Sequence, residues 1–116
     1  AMGLDPLMVF ETRIDAVYGL VTLMERASDA SPVLPGPVLF LYGARDDIIP
    51  PEAALTAAQR LPSQARTALY DNGYHLLLRD HQREVVIGDI LAFLADPAAA
   101  LPSGAAPVTA LSQRNP

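Results

Sequence analysis

The chain has 116 residues, about half of them apolar, and a net charge of −5. That length holds one modest domain, and an acidic balance without a basic cluster argues against nucleic acid or an anionic membrane surface as a partner. Cysteine is absent, which excludes a disulfide framework, a thiolate nucleophile and a Cys-ligated metal.

Two histidines and scattered carboxylates show no ligand spacing, so neither a metal nor a cofactor is expected. No apolar run approaches the ~20 residues needed to span a bilayer, and no basic flank followed by an apolar stretch opens the chain. The expectation is a soluble, cytoplasmic protein without a transmembrane segment. Residues 1–11 read as a lead-in segment or an expression remnant.

From Thr12 the pattern becomes helical. Ile14, Val17, Tyr18, Val21 and Met24 recur at three- and four-residue steps and predict one apolar stripe on a helix ending near Ala27. "TRID" supplies a start signal, since the Thr12 oxygen can accept from the Asp15 amide while the acid sits on the positive helix end. "SDASPVLPGP", residues 28–37, stops the helix with three prolines and a glycine and keeps the chain extended.

"VLFLY", residues 38–42, is a short apolar run bounded by turn residues, as in a strand buried on both faces of a parallel sheet. Gly43 follows as the turn. After the pair Pro50 and Pro51, "EAALTAAQRL" is rich in helix formers, and Pro62 and Ser63 end it. "RTALY", residues 66–70, predicts a second strand, "DNGY" a turn, and "HQREVVIGDILAFLA" a last helix with Val85, Val86, Ile90 and Phe93 on one face. Residues 97–116 are rich in Ala, Pro and Ser without periodicity and are expected to form a flexible tail.

Helix, strand, helix, strand, helix is the order of an α/β fold with a parallel sheet joined by right-handed crossovers. Two parallel strands rarely stand alone, so the segment reads as one end of a larger sheet with an open strand edge. Ligand and catalytic groups of such sheets gather beyond the carboxyl ends of the strands. Asp46 and Asp47 follow the first strand and His75 follows the second. A carboxylate accepting from one imidazole nitrogen fixes the tautomer and stabilises the imidazolium when the other nitrogen takes a proton. Taken alone, Asp46 also suits a turn in which it bonds its own backbone, and His75 a structural role; His81, near the last helix, reads as exposed.

"PVLFLYGARDDIIP" resembles the segment that carries the triad acid in the α/β-hydrolase fold superfamily, and "NGYHLLLRD" resembles its histidine loop, with His75 lying 29 positions after Asp46. Together with "TRIDAVYGLVTLMERA", these motifs look most like the monoacylglycerol lipase and lysophospholipase-like branch, over residues 5 to about 96. The resemblance implies a partial α/β-hydrolase domain at 12–96, with Asp46 as catalytic acid, His75 as general base and a lipid-like ester as substrate. Asp47 matches a variable position. "LDPLMVFE" would line an acyl pocket or be a remnant of core.

The family's nucleophile is a serine in a Gly-x-Ser-x-Gly turn upstream of the acid. Ser28, Ser31, Ser63, Ser103 and Ser112 are the serines here, and none has glycines at those positions. With no cysteine and no lysine either, the chain reads as the acid-and-base half of a serine ester hydrolase, inactive in isolation and completed by an N-terminal half. The alternative is a non-catalytic interaction or structural module that self-associates through its open strand edge.

Overall fold

The computed structural model describes residues 6, 7 and 11–114. The lead-in at 1–11 and the "LDPLMVFE" pocket expected there lie largely outside the described residues. The chain divides into two compact units, 1–30 and 31–116, so the expected 12–96 block is cut after Ala30.

The first unit carries helix α1, Ile14–Ala30. The carbonyl of Arg13 accepts from Val17 N, and the Arg13 guanidinium bonds the Asp15 carboxylate at 2.8 Å. Arg13 therefore begins the helix, where the sequence had pointed to a Thr12 cap. No residue of α1 is buried, and Ile14 of its apolar stripe is 90 % exposed. No helix among the described residues is long and apolar enough to cross a membrane.

The second unit is a β-α-β-α arrangement. Strand β1, Leu39–Gly43, and strand β2, Arg66–Tyr70, pair in parallel with Leu41 opposite Ala68 and Gly43 opposite Tyr70. Helix α2, Pro51–Arg60, makes the crossover, with Pro51 in the first turn where its missing N–H costs nothing. Helix α3, Arg83–Ala95, follows β2. The resulting two parallel strands with helices fit a partial α/β-hydrolase fold.

Strand alternation sorts the core into two layers. Tyr42 and Leu69 join Ala54 and Ala58 of α2 in one cluster, with Phe40 packed against it. Ala68 and Tyr70 join Val86 and Phe93 of α3 in the other, with Leu39 and Leu41 alongside. The small side chains of Ala54 and Ala58 let α2 lie close on the sheet.

The composition of residues 97–116 predicted a flexible tail, and the structure departs from that expectation. Val108–Gln113 form a 3-10 helix, Val108 is fully buried in the cluster beneath α2, and Leu101 is buried in the cluster beneath α3. Leu101 and Val108 are isolated apolar anchors within the segment, and such anchors leave no periodic signal. Burying one valine contributes about 1.5–3 kcal/mol.

Candidate active site

Both strands run in one direction, so the loops that leave them emerge at the same end of the sheet. Asp46 lies three residues beyond the end of β1. Its Oδ1 accepts from the amides of Ile48 and Ile49, each at 2.8 Å, and its own amide donates to Gly43 O at 3.0 Å. The side chain thus does use its own turn, as aspartate after glycine commonly does, but with only one oxygen. Tyr42 supports the loop from below through a 2.6 Å bond from its hydroxyl to Ile49 O.

The other carboxylate oxygen of Asp46 meets His75. Oδ2 lies 2.9 Å from the imidazole Nδ1, which assigns the proton to Nδ1 and leaves Nε2 without a hydrogen bond among the described residues. The Asp46 side chain is 5 % exposed and that of His75 36 %, so the carboxylate is covered while the imidazole meets solvent. Burial pushes the Asp46 carboxyl up, but the Ile49 amide, the His75 ring and the Ile48 amide together outweigh it and hold the group below the usual carboxylate range.

The histidine loop has its own brace. Asp80 accepts from Tyr74 N at 2.7 Å through Oδ2 and from His81 N at 2.8 Å through Oδ1, tying the residue before His75 to the approach of α3. These two amides hold the Asp80 carboxyl below its ordinary value. The loops from β1 and β2 are joined directly where Arg45 N donates to Gly73 O at 2.8 Å. Arg45 also places its guanidinium 6.0 Å from the centre of the Tyr74 ring, at the outer limit of a cation–π contact.

Asp46 and His75 border a half-open recess of about 330 Å³ whose other walls include Phe40, Leu41, Ile49 and Leu77. A recess of about 350 Å³ beside Ala65, Arg66 and Gly104 carries no carboxylate and no imidazole, so the chemistry points to the first. Asp47 and His81 are exposed and stand outside the pair. No group of three or more His, Cys, Asp or Glu able to hold a metal lies among the described residues.

A covered carboxylate hydrogen-bonded to a solvent-accessible imidazole at the carboxyl end of a parallel sheet has the geometry that the acid and base of a nucleophilic triad require. The family model for serine aminopeptidase, S33, matches residues 1–82, which include both Asp46 and His75. The chain belongs to this family, within the α/β-hydrolase superfamily. Comparison with curated proteins and with solved structures finds no significant match.

Sequence reasoning found the two members of the pair but missed Asp80 and the bond from Arg45 N to Gly73 O that joins the loops. Asp80 stands in the quoted "NGYHLLLRD", and its spacing from Tyr74 was the available signal. It also missed Asp89, which is fully buried in α3 and accepts from Tyr70 Oη at 2.7 Å, from Ser103 Oγ at 2.5 Å and from Ser103 N at 3.0 Å.

Proposed function

We propose that this chain supplies the acid and the base of a serine hydrolase of the monoacylglycerol lipase and lysophospholipase-like kind. The observation that carries the reading is the 2.9 Å contact between Asp46 Oδ2 and His75 Nδ1, with Nε2 free of a hydrogen-bond partner among the described residues. In this role Nε2 takes the proton from a serine hydroxyl as its oxygen attacks an ester carbonyl, then gives that proton to the departing alcohol. It next activates a water that releases the acid. Asp46 holds the ring in the required tautomer and stabilises the imidazolium while it lasts.

None of the five serines occupies a Gly-x-Ser-x-Gly turn, so on this reading a serine outside these 116 residues supplies the nucleophile. The recess beside Asp46 and His75 is lined mainly by apolar residues, among them those of the β1 edge that no strand pairs with among the described residues. Its lining carboxylate is Asp46, and both oxygens of that group are already engaged. The family's description names aminopeptidases, and the same triad chemistry cleaves either carbonyl.

A fluorophosphonate probe tests the proposal. This chain alone should take no label, whereas a longer gene product or a co-purifying chain bearing the nucleophile should be labelled and should hydrolyse monoacylglycerol or lysophospholipid faster than an aminoacyl anilide. Asp46→Asn or His75→Ala in that species should remove the labelling. Labelling that survives both substitutions would sink the assignment. A second reading rests on the pairing pattern, in which no strand joins the outer side of β1 among the described residues. On that reading the chain is a non-catalytic module that self-associates there, and it would give an unlabelled, symmetric dimer.

A further inference from the structure

A parallel ladder turns alternate peptide groups of each strand to opposite edges. Arg66 N donates to Val38 O at 2.8 Å and Ala44 N to Tyr70 O at 2.9 Å, so the even-numbered residues of β1 face β2. Leu39 and Leu41 therefore present their peptide groups on the far side of β1. By the same parity, Thr67 and Leu69 present theirs at the outer edge of β2.

The two edges are treated differently. At β2, Leu69 N donates to Ala106 O at 2.8 Å within an antiparallel bridge, and Val108 N donates to Thr67 Oγ1 at 2.8 Å. At β1, no strand pairs with the far edge among the described residues. The segment at β2 is clamped on both faces of the sheet, because Leu101 lies in the cluster with α3 and Val108 in the cluster with α2. Ser103 is fixed to buried Asp89 by its amide and its hydroxyl. Gly104, at φ 66°, takes the left-handed turn that swings the chain across the edge.

We propose that residues 101–113 are an edge guard, a segment that saddles β2 and occupies its strand-pairing site so that the sheet is one-sided. Pro107, next to the bridging Ala106, has no N–H to offer a further strand, so the guard ends the ladder where it sits. Residues 101–113 themselves lie beyond the family match at residues 1–82, whereas Thr67 and Leu69, which they contact, lie within it.

The test compares the full chain with Val108→Asp and Val108→Ala by amide hydrogen exchange and by light scattering across a range of concentrations. The Leu69 amide should be protected in the parent and exchange roughly tenfold faster in Val108→Asp, as loss of one hydrogen bond and its anchor implies. That variant should also form larger, concentration-dependent species that a synthetic peptide of residues 101–114 disperses. Protection retained at Ala68 shows that the β1–β2 ladder is intact. If the aspartate unfolds the ladder, Val108→Ala gives the graded form, in which Leu69 exchange and particle size rise together. Faster exchange at Leu69 with unchanged size in a folded variant, or an unprotected Leu69 in the parent, overturns the proposal.

Discussion

Gly43 and Gly73 meet backbone to backbone where the two strand-end loops cross. A β carbon built on Gly43 would lie 2.5 Å from the carbonyl carbon of Gly73, and one on Gly73 would lie 3.1 Å from the Gly43 Cα. Any side chain at Gly43 would have to push backbone aside, and the displaced loops are those that carry Asp46 and His75. Gly43→Ala should lower stability by about 1–3 kcal/mol, the range for forced overpacking, and weaken the Asp46–His75 bond. Denaturant unfolding measures the first effect and the NMR signal of the His75 Nδ1 proton the second. Gly88→Ala is the control, because nothing lies within 4 Å of its β carbon. In the interior of α3 it should stabilise by about 0.5–1 kcal/mol.

The lowered Asp46 carboxyl sets an acid limit. Because its folded value lies below that of the unfolded chain, its contribution to stability is complete above the unfolded value of about 3.9 and is lost as pH falls through the folded value. Unfolding curves of the parent and of Asp46→Asn should therefore differ most near neutral pH and converge in strong acid. A constant gap across that range would mean the carboxylate is not charged when it meets His75.

Tyr70 sets the opposite limit. Burial, followed by the bond to Asp89 and the charge of that group, pushes its phenol well above the usual tyrosine range. The contribution is complete below the unfolded value of about 10 and is lost as pH rises through the folded one. Tyr70→Phe should cost about 1–3 kcal/mol at neutral pH, because it takes a hydroxyl donor from a buried carboxyl. The penalty should shrink in alkali, as a pH series of thermal unfolding would register.

Asp80 acts on His75 through the backbone. Asp80→Ala removes the acceptor for Tyr74 N, so the Tyr74 amide should exchange faster while the β1–β2 ladder keeps its protection. In a species that carries the nucleophile, kcat should fall while KM changes little, because the loop that aims the base has loosened. Asp80→Asn retains one acceptor oxygen and should recover part of the loss. Equal rates for the alanine variant and the parent would reduce Asp80 to a helix-approach residue.

Much of this architecture was legible from local pattern. The run from Arg66 to Tyr70 is bounded by turn residues on both sides, and its strand has those same limits. The spacing of "YGARDDIIP" and "GYHLLLRD" placed Asp46 and His75 on adjacent strand ends. What sequence pattern could not carry was burial by single anchors. Leu101 and Val108 lie among Ala, Pro and Ser with no repeat, and their burial depends on sheet faces formed more than thirty residues upstream. Asp89 was hidden for a related reason, since a carboxylate within a helical pattern reads as a solvated position until Tyr70 and Ser103 are brought to it. The apolar stripe expected on α1 has no buried residue, and periodicity does not say what covers it.

The parallel pairing of β1 and β2 has a consequence for how the acid–base pair comes into being. A strand–helix–strand unit is the shortest chain path that brings two strand ends to one side of a sheet, and here 29 positions separate the two partners. The Asp46–His75 bond is therefore made within one uninterrupted stretch, between residues of a single strand–helix–strand unit. On the proposed function, one strand–helix–strand unit contributes both Asp46 and His75, separately from the hydroxyl they would serve.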